Sequence, residues 1–312
     1  MPIKRRIARS GFLHICQKTA DNGLLFYTVE DFLVFFTLLC VMAEAHGIVI
    51  FAIVLMFNHI HLGAFFRSVK AASAFMNGAL SVYARLYNKQ HGLTGQLFKK
   101  PFKSAPKTNE KKIRDNLFYI WNNPVEKNAV STAEEYRWNF LKYMESDHPF
   151  SEPIILSEVS DDLLKLMRKV NEKRESGKLL GYGFFDKTFK SLSKKERMQL
   201  IDYIIVKYNT IDKGHILGMF GSYQSLVLAV NSVAGNEYDL LDDLENEDYR
   251  HYVRMIGILR DEGVSPNAVC FDRSRSDPDS ATDELLLSKL RGRFKTEVGA
   301  TDYEIAKFLH QL

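Results

Sequence analysis

Ile48-Val49-Ile50-Phe51-Ala52-Ile53-Val54-Leu55-Met56-Phe57 runs straight into Asn58-His59-Ile60-His61-Leu62. The ten apolar residues are rich in β-branched side chains and too short for a membrane span, so they read as a buried strand. Two histidines one residue apart diverge on a helix. On a strand, where the side-chain period is two, they share a face while Ile60 buries on the other. Two imidazoles a few Å apart on one face of a rigid sheet suit a divalent metal ion.

The remaining sequence bounds what such a site could serve. At 312 residues the chain is long enough for two domains. Hydrophobic content of 46% and charged content of 26% are those of a globular protein in water. Cys16, Cys40 and Cys270 are too widely spaced for a disulfide framework or a zinc pattern, which points to a reducing cytoplasm. The basic N-terminus (Lys4, Arg5, Arg6, Arg9) leads into His14, Gln17 and Lys18 and not into the apolar core of a secretory signal. From Phe32 to Ala43 no residue is charged, but Glu44 and His46 then interrupt, well short of the roughly 20 apolar residues of a spanning helix. No membrane association is expected.

Charge is unevenly divided. Residues 1–150 hold 19 Lys+Arg against 11 Asp+Glu, a net of +8, and residues 151–312 hold 23 against 27, a net of −4. A basic N-terminal half suggests a polyanionic partner. Between Lys99 and Arg114 lie Lys99, Lys100, Lys103, Lys107, Lys111, Lys112 and Arg114, opposed only by Glu110. Taken alone, such a run reads as readily as a solvated face.

Patterning places the elements. Phe12 to Thr19 reads as a first strand and Ala20-Asp21-Asn22-Gly23 as a turn. Thr28, followed by Glu30 and Asp31, starts a helix that Gly47 ends. The strand Ile48–Phe57 and a strand from about His59 to Phe66 come next, then a helix from Val69 to Asn88. Gln96 to Ser104 reads as extended, and a helix spans Asn109 to Asn123, stopped by Pro124. The order β-α-β-β-α-β with an added helix predicts an α+β fold with a ferredoxin-like antiparallel sheet. Beyond residue 150 the pattern is mainly helical, at 157–170, 194–208, 222–233, 246–262, 282–297 and 303–312, with Arg273 to Asp279 an exposed loop. A boundary near residue 150 would separate an α+β domain (1–150) from a helical accessory domain (151–312) that could bind DNA.

In the helix before Pro124, Ile113, Leu117, Ile120 and Trp121 form an apolar stripe. Tyr119 lies nearly opposite, beside Lys112, Asp115, Asn116 and Asn123, with Asn123 one turn on. The plain reading is a surface tyrosine on a polar face.

Four segments now resemble a known family. Leu55 to Leu62 is similar to the HUH motif of the single-tyrosine transposases, which include the insertion-sequence-200-like and REP-associated tyrosine transposases. That family's usual form is close to Met-Pro-Asn-His-Val-His-Leu; here Phe57 stands in place of proline. Tyr87 to Phe98 resembles the family's Asn-(Arg/Lys)-x-x-Gly-x-(Ser/Thr)-Gly-x-Leu-(Phe/Trp) stretch. Tyr119-Ile120-Trp121-Asn122-Asn123-Pro124-Val125 resembles its tyrosine helix. Glu135-Tyr136-Arg137-Trp138 resembles the following Tyr-x-Trp-Ser element, with Asn139 where serine is usual. The resemblance covers about residues 8–145 and is silent on the rest.

It implies an HUH endonuclease core in which His59 and His61, with Asn123 as a third, amide ligand, hold Mg²⁺ or Mn²⁺. The ion would polarise the scissile phosphate while Tyr119 attacks phosphorus, giving a 5′-phosphotyrosine and a free 3′-hydroxyl. The partner implied is single-stranded DNA, often an imperfect hairpin, with the basic segment on its phosphates. A homodimer and a nucleoid-associated place in a prokaryotic cytoplasm go with the family. Tyr83 and Tyr87 match it structurally and not catalytically.

Other readings stay open. His91 is expected as a turn residue, and His14 as packed or exposed and not as a ligand. Thr301 to Leu309 resembles the first helix of a helix-turn-helix, with no room for a recognition helix before Leu312. The activity could be that of a nuclease that processes chromosomal repeats without mobilising its own gene. The alternative is a DNA-hairpin-binding module or repressor without turnover, against which the intact His59, His61 and Tyr119 weigh. A His-x-His hydrolase on an α/β barrel lacks further ligands in the helical half.

Overall fold

A computed structural model describes residues 10–20, 23–98, 101–232, 249–264 and 280–309, with the backbone alone for 280–283. The N-terminal half follows the expected order: β1 (Gly11–Lys18), α1 (Val29–His46), β2 (Val49–Met56), β3 (His59–Phe66), α2 (Val69–His91), β4 (Lys103–Lys107) and α3 (Glu110–Glu126). The strands form one four-stranded sheet in the order β2-β3-β1-β4, every neighbouring pair antiparallel. The architecture is α+β.

Local chemistry accounts for the boundaries. Thr28 Oγ1 accepts from the Asp31 amide at 3.3 Å, and Asp31 Oδ2 accepts from the Thr28 amide at 2.9 Å, a reciprocal cap that starts α1. Gly47, at φ +61°, takes the left-handed conformation that ends the helix. Phe57 and Asn58 alone turn β2 into β3, pairing Met56 with His59 and Val54 with His61.

The two sheet faces are covered differently. Phe66 of β3 meets Phe75 of α2 at 5.9 Å between ring centroids, and Phe35 of α1 packs on Tyr83 of α2 at 4.7 Å, so α1 and α2 form a layer on one face. The opposite face, carrying His59, His61 and Gly63, lies under α3. A Cβ on Gly63 would come within 2.8 Å of Phe12 Cζ and 3.1 Å of Ile120 Cδ1. Glycine at that position lets the helix settle directly on β3.

One expectation fails here. Pro124 does not stop α3, which continues to Glu126 with the proline inside it. Proline lacks the amide that would donate to the Ile120 carbonyl, but only Val125 and Glu126 follow it in the helix, so a single bond of the ladder is lost. The Lys127 amide closes the helix onto the Asn123 carbonyl at 3.0 Å.

The later helices are α4 (Asp161–Glu175), α5 (Tyr182–Thr188), α6 (Lys194–Tyr208), α7 (Lys213–Phe220), α8 (Tyr223–Ser232), α9 (Arg250–Asp261), α10 (Ser280–Arg293) and α11 (Asp302–Phe308). Helices α5 and α7 have no counterpart in the sequence reading. The expected loop at Arg273 to Asp279 lies outside the described residues.

Contacts tie this half to the sheet layer. Tyr182 donates to Asp31 Oδ1 at 2.6 Å, the Leu180 amide to Thr37 Oγ1 at 3.2 Å, and the Asp212 amide to the Ile50 carbonyl at 2.8 Å. Ile211 bridges Ile50 and so covers part of the free edge of β2. Asp202 of α6 is buried and accepts from Arg137, from Tyr143 at 2.6 Å and from Ser151 at 2.9 Å. Among the described residues, no helix is long and apolar enough to cross a membrane.

Candidate functional site

The two-residue turn before β3 sets the site. It places His59 and His61 at the start of a strand whose period aims both rings at α3, with centroids 4.9 Å apart and planes at 85°. His59 Nδ1 lies 2.6 Å from Asn58 Oδ1. An amide oxygen only accepts, so the proton of His59 sits on Nδ1 and its Nε2 keeps a lone pair. That Nε2 lies 3.3 Å from Asn123 Oδ1. Two acceptors facing one another at this distance are an arrangement a cation relieves.

His61 is held the same way from another side. Its Nδ1 lies 2.9 Å from His14 Nε2, on β1. Its Nε2 is fully buried with no hydrogen-bond partner among the described residues, as is Nδ2 of Asn123. Burial pushes the His59 imidazole down to about 3, helped by the charges of Lys18 and Lys127. Burial also holds His61 and His14 well below the usual histidine range. All three rings are therefore neutral near pH 7, the form that coordinates metals. Nε2 of His59, Nε2 of His61 and Oδ1 of Asn123 thus fit a hard or borderline divalent cation. No group of three or more His, Cys, Asp or Glu side chains among the described residues is placed to hold one.

Tyr119 is brought to the same place by α3. Asn109 caps that helix, its Oδ1 accepting from the Lys112 amide at 2.9 Å. Asn116, Tyr119 and Asn123, three and then four residues apart, share one helical face. The sequence reading put this face in solvent. In the structure Asn116 and Asn123 are 0% and Tyr119 1% exposed. The face packs on the sheet where the sheet presents His14, His59 and His61, while Leu117, Ile120 and Phe12 close on Gly63 alongside. The Tyr119 ring stands edge-on to His61 and to His14, each at 5.7 Å between centroids.

Three participants escaped the sequence reading. His14 pairs across the sheet with Gly63, next to the Cys16–His61 pair, so it shares the face of the histidine pair. Asn116 Nδ2 lies 3.0 Å from His14 Nδ1. Tyr249, just before α9, donates to Asn58 Oδ1 and is fully buried. The parity of His14 with Cys16 and Lys18 was legible, but the β1–β3 register that gives it meaning was not. His91, expected in a turn, ends α2 as a buried ring with Nε2 2.7 Å from Asp31 Oδ1. Tyr83 and Tyr87 donate to the carbonyls of Leu25 and Leu24.

The basic segment divides. Lys99 and Lys100 lie outside the described residues. Lys103, opposite Cys16, is two strands from His61, about 10 Å away. Lys107, opposite Phe12, lies at the far end of the sheet. Burial, with the neighbouring Lys112, pulls its ammonium pKa down. Lys111, Lys112 and Arg114 are exposed on the first turns of α3. Lys107 borders a groove of about 750 Å³, also lined by Phe12, Phe51, Phe65, Ile113 and His215.

No family model matches this chain, and no curated protein matches it. Among solved structures it is similar to that of a REP-associated tyrosine transposase bound to a REP hairpin. The identity is 16%, covering 45% of this chain and 82% of that one, at a TM-score of 0.39. A likeness at that level assigns neither activity nor site.

Proposed function

We propose that this chain is a metal-dependent, single-tyrosine DNA strand transferase of the HUH kind, built on a ferredoxin-like sheet. The observation that carries the reading is the contact of His59 Nε2 with Asn123 Oδ1 next to the His61 ring, whose Nε2 is partnerless among the described residues and whose edge meets the Tyr119 ring. His59, His61 and Asn123 would hold Mg²⁺ or Mn²⁺, which when bound supplies charge stabilisation at a phosphate oxygen.

Tyr119 is the nucleophile in this reading. Its phenolic oxygen forms a bond to phosphorus as the bond to the 3′-oxygen breaks. The proton lost by the phenol balances the one gained by the departing 3′-hydroxyl. The product is a 5′-phosphotyrosine, and attack by a 3′-hydroxyl reverses the step with no external energy source. Asn58 and His14 keep the two imidazoles oriented throughout. Lys103, Lys107, Lys111, Lys112 and Arg114, with Lys99 and Lys100, are the proposed contacts to the backbone of single-stranded or hairpin DNA. Residues 1–150 carry the chemistry, and 151–312 act as an accessory helical part. A homodimer accords with the reading.

A second reading has its own support. Tyr119 is 1% exposed and Tyr249 closes the His59 side, which suits a hairpin-binding protein without turnover. One experiment separates the two. Labelled single-stranded hairpin DNA from the gene's flanks is incubated with Mn²⁺ or with EDTA and run on a denaturing gel. The parent should give a protein-linked band with Mn²⁺ only, and Tyr119→Phe should give none while binding the hairpin within about twofold. Tight binding with no covalent band under any condition would favour the second reading.

A further inference from the structure

His14 and Asn116 belong to neither the ligand set nor the nucleophile, yet both are fully buried against the site. Resting on the metal reading above, the geometry points to them as a positioning pair: His14 accepts the Nδ1 proton of His61, and Asn116 takes the proton His14 then carries on Nδ1, so that His61 Nε2 is left with a bare lone pair for the metal.

Two imidazole nitrogens 2.9 Å apart can share only one proton. If His14 Nε2–H donated to His61 Nδ1, His61 would carry its own proton on Nε2. That proton would occupy the position a metal needs, and it would be a buried donor with no acceptor among the described residues. If His61 Nδ1–H donates to His14 Nε2, then Nε2 of His61 is bare and His14 carries its proton on Nδ1. The atom opposite that Nδ1, at 3.0 Å, belongs to the Asn116 amide, whose Oδ1 is otherwise buried and partnerless. As placed, the amide turns Nδ2 to His14 and leaves Oδ1 partnerless; a half-turn, which an asparagine amide allows, puts Oδ1 on the His14 N–H and Nδ2 in its place. The chain of donors then runs His61 to His14 to Asn116. His59 is oriented independently, by Asn58.

The pair is supplied by two separate elements, β1 and α3, and α3 also carries Tyr119 and Asn123. Seating α3 on the sheet therefore installs the nucleophile, the amide ligand and the tautomer lock together. Gly63, directly opposite His14 in the sheet, allows that seating.

The test reads the tautomer and the metal affinity of the full chain, without DNA. Long-range ¹H–¹⁵N correlation spectra of the histidine-labelled, metal-free parent should show His61 protonated on Nδ1. Mn²⁺ affinity, read by titration calorimetry, should fall about 10- to 100-fold in His14→Leu, which fills the space without accepting a hydrogen bond. His14→Gln, whose Oε1 can accept from His61, should stay within about threefold of the parent. Asn116→Leu should weaken Mn²⁺ several-fold and shift His61 towards the Nε2–H tautomer. Parent binding of Mn²⁺ with His61 protonated on Nε2, or with undiminished affinity in His14→Leu, would overturn the role of the pair alone. Absence of Mn²⁺ binding by the parent would overturn the metal site itself.

Discussion

At the scale of single residues, the site depends on which atoms are engaged and which are left over. Asn58 and His14 occupy the Nδ1 sides of His59 and His61; His59 Nε2 meets Asn123 of α3, and His61 Nε2 is buried without a partner among the described residues. Gly63 has no side chain to hold α3 away. Gly63→Ala should destabilise the fold by about 1–3 kcal/mol, the usual cost of forcing an atom into packed surroundings, because the nearest atoms are the ring of Phe12 and the Ile120 side chain. Urea unfolding checks this: a midpoint equal to the parent's would mean α3 can rise from the sheet without cost. The spacing of His59 and His61 was legible because a strand's period is local. The contribution of His14 was not, because it depends on a register between residues 47 positions apart.

Among elements, α1 shows how one residue can serve several. Asp31 completes the N-terminal cap with Thr28 and also receives His91 from α2 and Tyr182 from α5. Burial alone would raise its carboxyl. The charge of His91 and the hydrogen bonds from His91, Tyr182 and Thr28 outweigh that, and its pKa is lowered. Thr28→Ala should cost about 1 kcal/mol, the value of a cap. Asp31→Ala should cost about 3–5 kcal/mol, since it also leaves a buried partner group uncompensated. Thermal unfolding of the two variants should separate them clearly, and equal losses would reduce Asp31 to a cap. The sequence marked Thr28 and Asp31 as a helix start but carried no sign that two further elements converge on the same carboxylate. Helix α3 teaches the converse: its polar stripe was legible, and its burial was not, since periodicity separates faces without saying what each will meet.

For the molecule as a whole, three neutral buried histidines make stability depend on pH. In the unfolded chain each titrates near 6.5, and in the fold His59 is held at about 3 with His14 and His61 well below the usual range. Between those limits the unfolded state binds protons that the folded state refuses. Stability is therefore full above about pH 6.5 and falls as pH drops towards 3, at up to about 1.4 kcal/mol per pH unit for each group. Urea midpoints should fall from pH 7.5 to pH 5.0, and a flat profile would refute neutral burial. On the proposed metal site, Mn²⁺ should raise the unfolding temperature of the parent and leave His59→Ala unmoved. Equal shifts in both would place the ion elsewhere. The C-terminal half joins this unit through Tyr249, whose amide donates to the Lys127 carbonyl at 2.8 Å and whose hydroxyl reaches Asn58.

By itself the sequence determined the order of strands and helices through α3, the shared face of His59 and His61, and the helical character of the chain beyond residue 150. Each of these is a matter of local period, capping and turn chemistry, which neighbouring residues settle among themselves. Only the tertiary structure decided that the polar face of α3 is interior, that His14 and Asn116 stand behind His61, and that Tyr249 closes the turn before β3. Those contacts join residues 47 to 191 positions apart. They are settled by strand register and by which faces can exclude water together, which no stretch of sequence states alone.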